Sequence, residues 1–331
     1  MQSAKCPQGK ILALGELLVD FVPCQADMLI SQPGAILKTA SGSSGIFACA
    51  AASMGASVGF LGKVGRDALS RMVDEAIRAA GVDMSRVVYS DEGQIGLAFI
   101  EYLPGGKRNY QYYRSRSVGS LYRAQEIDEA YLSQAFAVHF PGMLLELTEE
   151  MRGACLRAAE LAKQHGVLLS FDPNIRMELM REDAARARML EVLALADVIA
   201  PTLEEGRFIT GKQSIGDVLR ALHALGPQVV ALTRDKDGAV LSMDGQVVLA
   251  GGIDVPVEDP TGAGDTFAAA LVYCLQQGMS LRETALFCNC AGTLVCTKRG
   301  AIPALPTAQQ VRELAAQRPC TLDTIALAGL A

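Results

Sequence analysis

The fold is decided by residues 167–200, which read VLLSFDPNIRMELMREDAARARMLEVLALADVIA. Val167–Phe171 and Asp197–Ala200 have the length and apolar character of buried strands, and Glu182–Leu195 between them has the periodicity of a helix. A strand, a helix and a second strand in this order form a βαβ unit, in which the two strands run parallel in one sheet.

The same alternation extends to both sides of this segment. We predict two further strands and two further helices: Ala137–Phe140 and Val229–Thr233 as strands, Thr148–His165 and Ser214–Leu225 as helices. The pattern indicates a doubly wound α/β fold with a mainly parallel sheet flanked by helices. Ligands of such sheets bind beyond the carboxyl ends of the strands, so we expect a site just after Phe171, Ala200 and Thr233.

The first third of the chain contains additional strand signals. Ile11–Val22 is predicted as one strand that continues past a glycine, and Gly96–Leu103 with Arg108–Arg114 as a hairpin. Ser44–Met54 is predicted as a helix of small residues. The extra strands predict a small β-sheet, over about residues 19–38 and 96–114, beside the main one. We expect residues 1–331 to form a single domain whose last third is mostly helical.

Composition excludes several functional classes. Lys and Arg number 30 against 36 Asp and Glu, which gives a formal net charge of -6, so no nucleic-acid partner is expected. The uncharged stretch 39–62 is long enough to span a bilayer, but it consists largely of Ala, Gly and Ser, so no membrane segment is expected either. Nine cysteines without a CxxC pair indicate a reducing, cytoplasmic setting.

The strongest local signal for function is DPTGAGDTF, Asp259–Phe267. Gly262 and Gly264 allow a sharp bend and a close approach of the backbone to a ligand, and an apolar helix follows. N–H groups at the start of a helix lack internal partners and lie at its positive end, so they suit phosphate oxygens. Asp265 beside such an anion site could accept a proton from a hydroxyl that attacks phosphorus. A glycine-rich helix start capped by Asp265 is the structural alternative.

This motif resembles the second signature of the PfkB, or ribokinase-like, carbohydrate kinases. Five further segments resemble elements of that family in the expected order: GELLVDFVP (Gly15–Pro23), FLGKVGRD (Phe60–Asp67), YYR (Tyr112–Arg114), FDPNIR (Phe171–Arg176) and GAIPALP (Gly300–Pro306). The resemblance runs from Leu14 to about Pro306 and is closest to fructokinases. It implies a ribokinase-like fold in which the small β-sheet forms a lid.

The resemblance also implies ATP-dependent transfer of a phosphoryl group to a sugar hydroxyl. Asp265 would be the general base, and the anion hole would be formed by Gly262, Ala263 and Gly264. Glu205, in TLEE, matches the glutamate of the family's Asn-x-x-Glu motif and would organise Mg²⁺ and its waters. K⁺ is a further candidate cofactor, because Lys298–Ala301 resembles the family's monovalent-cation region.

Residues for the two substrates follow from the same resemblance. The candidate sugar-binding residues are Asp20, Gly42, Arg114, Asn174, Arg176 and Asp265. The candidate nucleotide-binding residues are Thr202, Thr233, Gly238, Gly262, Gly264 and Asn289. Asp20 can accept hydroxyl hydrogen bonds, and Arg114 offers a rigid donor fork for hydroxyls or an acidic group. A structural role within its helix is the alternative for Asn289.

The chain departs from the family pattern in its candidate ligand-binding regions. Ile46 replaces the Asn of Gly-Gly-x-x-x-Asn, Gly119 aligns with an Asp that follows YYR, Thr202 replaces the Asn of Asn-x-x-Glu, and Asp235 replaces the Gly of a Thr-x-Gly turn. None of these positions is the base or the anion hole, so kinase chemistry stands. Polar groups that are missing from a sugar pocket do put the identity of the sugar in doubt.

We therefore predict an ATP-dependent sugar kinase with fructose as the first choice of substrate. A 2-keto-3-deoxygluconate kinase, in which Arg114 would face a carboxylate, is the alternative. A nucleoside kinase and a non-catalytic sugar-binding regulator follow. Closure of the lid would exclude water from the site. An apolar lid face would favour a homodimer.

Overall fold

Nine strands form the main sheet of the computed structural model, which describes residues 8–25, 28–103, 107–175, 183–318 and 320–330. In spatial order the strands are β15 (Leu322–Ala326), β14 (Gln246–Ala250), β13 (Ala239–Met243), β12 (Val229–Thr233), β11 (Val198–Ile199), β10 (Leu168–Asp172), β9 (Ala137–Pro141), β1 (Ile11–Leu14) and β4 (Val58–Leu61). Six neighbouring strands run parallel: β4, β1, β9, β10, β11 and β12. The sheet continues beyond β12 with β13, β14 and β15, each antiparallel to its neighbour.

Helices cover both faces of this sheet. The described helices are α1 (Ser43–Ser53), α2 (Ala68–Ala79), α3 (Glu129–Leu132), α4 (Glu149–His165), α5 (Asp183–Leu193), α6 (Leu203–Thr210), α7 (Ile215–Ala224), α8 (Ala263–Gln276), α9 (Leu281–Val295), α10 (Ala301–Ala304) and α11 (Ala308–Gln317). The parallel sheet with helices on either side confirms the predicted fold class.

Alternating side chains of the strands explain the two-sided packing. In β1, Ile11 and Ala13 enter one hydrophobic cluster with α1, α8 and α9, whereas Leu12 and Leu14 enter a second cluster with α4 and α7. Successive side chains of a strand point to opposite faces, so a strand that is apolar throughout can be buried on both. The main core therefore consists of two layers separated by the sheet.

A second sheet of four strands lies beside the main one, where the small sheet was predicted. Its order is β3 (Ile36–Ser41), β2 (Leu18–Pro23), β7 (Gly96–Leu103) and β8 (Lys107–Tyr113). β2 and β7 are parallel, and the other two pairs are antiparallel. Strands β5 (Lys63–Val64) and β6 (Val88–Tyr89) form a separate pair.

The prediction of one strand over Ile11–Val22 is wrong. β1 ends at Leu14 in the main sheet, and the chain resumes as β2 at Leu18 in the small sheet. Gly15, at the break, has a φ of 155°, and a Cβ atom there would lie 2.1 Å from Ser44 Oγ. The chain therefore crosses between the two sheets at a glycine that has no room for a side chain.

The last third contains more strand than we predicted. β13 and β14 form a hairpin through Asp244 and Gly245, both with positive φ, and β15 pairs with β14. The strand-like segment VPVE at 255–258 forms no strand.

No helix among the described residues combines the length and the apolar character needed to cross a membrane.

Two side chains of the small sheet, Leu37 and Tyr113, are 58% and 57% exposed. The single-domain organisation and the homodimer stay predictions.

Candidate active site

A cavity of about 900 Å³ lies between the small sheet and the carboxyl ends of the parallel strands. Asp172 at the end of β10, Thr202 after β11 and Thr233 at the end of β12 line it from one side, and Asp20 and Tyr112 of the small sheet from the other. These strand ends include the positions at which the sequence analysis placed a ligand site.

The start of α8 forms the floor of the cavity. Its N-cap residue, Gly262, has a φ of 82° and provides no side-chain cap, whereas serine, threonine or aspartate side chains cap α2, α4, α6, α7, α9 and α11. The uncapped first turn offers N–H groups and a positive helix end to an anion. Asp265 is the acidic residue of this first turn.

A turn organised by the buried Asp259 holds this helix start in place. Asp259 Oδ1 accepts hydrogen bonds from the Thr261 amide at 3.0 Å and the Thr261 hydroxyl at 2.6 Å, and Asp259 Oδ2 accepts one from the Gly300 amide at 3.2 Å. The Ile46 side chain contacts the other side, since a Cβ atom on Gly262 would lie 3.0 Å from Ile46 Cγ2. The departure at Ile46 therefore places an apolar group directly against the proposed anion hole.

Asp265 receives a hydrogen bond that the sequence analysis did not anticipate. The Ser43 hydroxyl donates to Asp265 Oδ1, and Asn174 Nδ2 donates to Ser43 Oγ at 3.4 Å. Ser43 is the first residue of α1 and directly follows Gly42, whose φ is 105°. A Cβ atom on Gly42 would lie 2.8 Å from the Glu16 carbonyl oxygen, so this position needs a glycine.

Asp20 is a buried carboxyl group on β2. Its pKa rises to about 6, mainly because burial disfavours the charged form; the hydrogen bond that Ser41 Oγ donates to Asp20 at 2.7 Å opposes the rise, and the charges of Asp259 and Asp265 add to it. Asp20 therefore lies close to the start of α8, with one carboxylate oxygen hydrogen-bonded to Ser41.

We expect Asp20→Asn to stabilise the protein at alkaline pH while weakening sugar binding. A carboxyl whose folded pKa lies above the unfolded value of 3.8 contributes stability below that value and loses it as the pH rises through about 6. The gain in unfolding free energy should therefore be larger at pH 8 than at pH 4.5, by about 2 kcal/mol. Urea unfolding at both pH values measures it.

Asp91→Asn is the matched control for this prediction, because its side chain is 82% exposed. It should change the unfolding free energy by less than about 0.5 kcal/mol at either pH. An equal effect of Asp20→Asn at the two pH values would contradict the assignment of a raised pKa to Asp20.

Arg114 is held by an ion pair that the sequence analysis missed. Arg114 Nη1 donates to Glu16 Oε1 at 2.9 Å, and the two side chains are only 9% and 4% exposed. Ser117 Oγ donates to Glu16 Oε2 at 3.1 Å, and the guanidinium lies 4.1 Å from the centre of the Tyr112 ring. Burial raises the pKa of Glu16, and the charge of Arg114 offsets only part of this rise.

Gly119, the second departure in the predicted sugar region, is buried against this pair. A Cβ atom on Gly119 would lie 2.7 Å from Glu16 Cβ. Glu16 and Arg114 line the cavity, whereas Gly119 is not among the residues that line it. The carboxylate at this end of the cavity therefore comes from Glu16.

Glu205 is fixed by backbone amides. Its Oε2 accepts from the Thr202 amide at 2.7 Å, its Oε1 accepts from the Ile175 amide at 2.5 Å, and Thr202 Oγ1 in return accepts from the Glu205 amide at 3.1 Å. Thr202, which replaces the family's Asn, thus caps α6. A carboxylate accepts about four hydrogen bonds, so each oxygen of Glu205 can still accept one from a water bound to Mg²⁺.

Three further nucleotide-binding candidates belong to the wall of the cavity. Thr233, Gly238 and Asn289 all line it. Gly238 has a φ of 90°, and a Cβ atom on it would lie 2.2 Å from the Ala250 carbonyl oxygen. Asp235, which replaces a glycine of the family pattern, has a φ of 49° and so keeps the left-handed turn that glycine would favour.

Asn289 has a structural contact as well as a place in the cavity wall. Its Nδ2 donates to the Gly251 carbonyl at 2.8 Å and to Cys320 Sγ at 3.7 Å. The alternative structural role is thus observed for its amide nitrogen. Arg176, the remaining candidate, lies outside the described residues.

A family model described as the pfkB family carbohydrate kinase matches residues 8–308. The chain belongs to the PfkB carbohydrate kinase family. As a member, it is a sugar kinase, a phosphotransferase that acts on a sugar hydroxyl.

Individual relatives of this sugar kinase agree with the family assignment. Fructokinase-1 of Zea mays is 34% identical over 323 residues, which cover 92% of this chain and 97% of that protein. A ribokinase II structure from E. coli in complex with ATP and Mg²⁺ is 25% identical, covers 93% of this chain and 99% of its own, and superposes with a TM-score of 0.88.

A fructokinase structure from Vibrio cholerae O395, in the form bound to fructose, ADP and calcium ion, is also 25% identical to this sugar kinase. The alignment covers 93% of this chain and 99% of that one, with a TM-score of 0.81. These structural relatives confirm the predicted ribokinase-like fold.

Proposed function

We propose that this sugar kinase is an ATP-dependent fructokinase, which transfers the γ-phosphoryl group of ATP to a hydroxyl group of fructose. The observation that carries the proposal is the position of Asp265 in the uncapped first turn of α8, at the floor of a cavity that also contains Asp20 and Arg114. The 34% identity to a plant fructokinase over nearly the whole chain supports fructose as the sugar.

The residues divide the work of the reaction as follows. Asp265 accepts the proton of the attacking sugar hydroxyl, and the backbone N–H groups of Gly262–Gly264 stabilise negative charge on the phosphoryl group. Asp20 accepts hydrogen bonds from sugar hydroxyls, and Arg114 donates to sugar oxygens. Positioning and charge stabilisation supply most of the rate, because phosphoryl transfer needs little covalent help from the protein.

ATP and Mg²⁺ fit the side chains at the nucleotide end. ATP supplies the phosphoryl group, and Mg²⁺ neutralises charge on the phosphates when it is bound. Among the described residues no three or more His, Cys, Asp or Glu side chains gather to hold a metal ion. Glu205 as a single carboxylate suits Mg²⁺, which keeps several waters and takes one or two protein carboxylates beside the phosphates. K⁺ near Lys298–Ala301 is proposed on family resemblance.

The small sheet is proposed to act as a lid. Its strands β2 and β8 supply Asp20 and Tyr112 to the cavity, so movement of this sheet toward the main one would enclose the sugar and exclude water. Water that reached the anion hole could accept the phosphoryl group in place of the sugar.

The ion pair of Arg114 favours a neutral sugar over the alternative, 2-keto-3-deoxygluconate. Glu16 already neutralises the guanidinium in a buried environment. A sugar carboxylate would have to compete with Glu16 for Arg114, and the buried Glu16 would then lose its partner.

The experiment that tests the proposal is an ADP-release screen with ATP, Mg²⁺ and K⁺. The panel contains fructose, other hexoses, pentoses, 2-keto-3-deoxygluconate and nucleosides. We expect the highest kcat/KM with fructose. Preferential turnover of the keto-deoxy acid or of a nucleoside would replace fructose, and sugar binding by calorimetry without turnover of any compound would favour a regulator.

A further inference from the structure

We propose that Ser43 is a positioning residue for Asp265, and that Asn174 and Ser43 together form a hydrogen-bonded relay that holds the base ionised and correctly rotated. The inference rests on the proposed role of Asp265 as general base. It assigns a function to a residue that the sequence motifs do not single out.

Each hydrogen bond of the relay is donated toward Asp265. Asn174 Nδ2 donates to Ser43 Oγ at 3.4 Å, and the Ser43 hydroxyl then donates to Asp265 Oδ1. An amide nitrogen donates only, so Ser43 must accept from Asn174 and has its single proton left for Asp265. A donated hydrogen bond stabilises the ionised carboxylate relative to the protonated acid, and ionised carboxylate is the form that can accept a proton.

Three separate elements converge at the relay. Asn174 follows β10, Ser43 is the first residue of α1, and Asp265 lies in the first turn of α8. Ser43 and Asp265 are 222 positions apart in the sequence. The hydrogen bond from Ser43 therefore restrains the rotation of the carboxylate about its Cβ–Cγ bond relative to two other elements of the fold.

The backbone around Asn174 indicates that its position is specified. Asn174 has a φ of 40°, in the left-handed region that few residues other than glycine adopt. Its backbone N–H donates to Asp172 Oδ1 at 3.0 Å. Asparagine tolerates this conformation better than most residues. The strained turn directs the side-chain amide of Asn174 toward Ser43. The relay is thereby anchored to the end of strand β10 in the main sheet.

The test compares Ser43→Ala with Ser43→Thr, which keeps a hydroxyl. We expect Ser43→Ala to lower kcat about tenfold, to leave KM for ATP unchanged, and to move the acidic limb of the kcat/KM profile upward by about one pH unit. Ser43→Thr should restore the profile to within about 0.3 pH unit of wild type. Ser53→Ala, at the other end of α1 where Ser53 Oγ donates to the Pro306 carbonyl, is the control and should change neither quantity.

A second readout does not depend on activity. Carbon-13 NMR of aspartate-labelled protein follows the side-chain carboxyl of Asp265, which is assigned by the loss of its signal in Asp265→Asn. Its titration midpoint should rise by about one pH unit in Ser43→Ala. If no compound in the substrate panel is phosphorylated, the proposed function fails, and this midpoint still decides whether Ser43 acts on Asp265.

Asn174→Gly tests the relay itself, because glycine accepts the backbone conformation and lacks the amide group. The midpoint should rise by about 0.3 pH unit in the Asn174→Gly variant and should not move when Ser43→Ala is already present. An unmoved midpoint in Ser43→Ala, or equal effects of Asn174→Gly in the two backgrounds, would overturn the proposal.

Discussion

Asp265→Asn is expected to reduce kcat by about 10³-fold, within the range of about 10² to 10⁴ that general bases contribute. The amide has nearly the shape of the carboxylate and can still accept the hydrogen bond from Ser43, but it cannot take the proton of the sugar hydroxyl. KM for ATP should stay within about twofold of wild type, because the proposed anion hole consists of backbone N–H groups.

A matched control exists for this substitution. Asp217 occupies the same position in α7 as Asp265 does in α8, the third residue after the N-cap, and its side chain is 55% exposed. Asp217→Asn removes the same favourable interaction with a helix N-terminus at a residue that does not line the cavity. It should leave kcat unchanged.

Steady-state kinetics with the best sugar of the panel provide the measurement. Mass spectrometry should first verify that residue 265 is Asn in the purified variant. Retention of more than a tenth of wild-type kcat would exclude Asp265 as the general base and would direct attention to Asp20, a buried carboxyl group that also lines the cavity.

The largest expected effect on stability comes from Arg114→Ala. This variant leaves Glu16 buried without its cation, and removing one partner of a buried ion pair costs about 3–5 kcal/mol. An unfolding entropy of about 2.1 cal/mol/K per residue gives about 0.7 kcal/mol/K for 331 residues, so Tm should fall by about 4–7 °C. Differential scanning calorimetry measures this decrease.

The pH dependence of that loss has a definite sign. Burial raises the pKa of Glu16 in the folded protein even with Arg114 present, and removing the cation raises it further. A carboxyl with a raised folded pKa loses stability as the pH increases, so the difference in Tm between Arg114→Ala and wild type should be larger at pH 8 than at pH 5.

Two further variants separate the ion pair from other causes. The double substitution Arg114→Met/Glu16→Gln removes both charges and should recover most of the lost stability. Arg123→Ala breaks a pair with Glu92 that is 30% and 45% exposed, and it should lower Tm far less than Arg114→Ala does. Equal losses in Arg114→Ala and the double variant would show that the charge of Glu16 is not the cause.

The sequence predicts the parts of this protein that are encoded in contiguous residues. Gly96–Leu103 is a strand with the bounds that its alternating pattern indicates, and α1 begins within one residue of the predicted position. The turn at Gly262 and the helix behind it follow from DPTGAGDTF, because glycines at a helix start have a local conformational meaning.

Features that depend on tertiary position were missed. Ile11–Val22 is apolar on both sides of Gly15, and nothing local shows that its two halves join different sheets. The Asp-Gly turn at Asp244–Gly245, between two largely apolar segments, is by contrast a recognised hairpin signal that our prediction of a helical last third overlooked.

The candidate site likewise combines residues that a local motif predicts with partners that no local pattern predicts. Arg114 could be proposed from YYR, but its partner Glu16 is 98 positions away and appeared in the sequence only as a charge that interrupts an apolar run. Ser43 likewise had no signal beyond its place after Gly42. Pairings across such separations follow from the arrangement of the sheets and not from any local pattern.

The crowding of carboxylates around Asp20 has a consequence for the end of each turnover. Asp259 and Asp265 lie near enough for their charges to act on Asp20. A phosphorylated sugar carries a new dianion that the incoming sugar lacks, and these carboxylates repel it once bound cations no longer balance its charge. If the substrate is the neutral sugar proposed above, these carboxylates would thus promote departure of the product, and we expect inhibition by accumulated sugar phosphate to be weak.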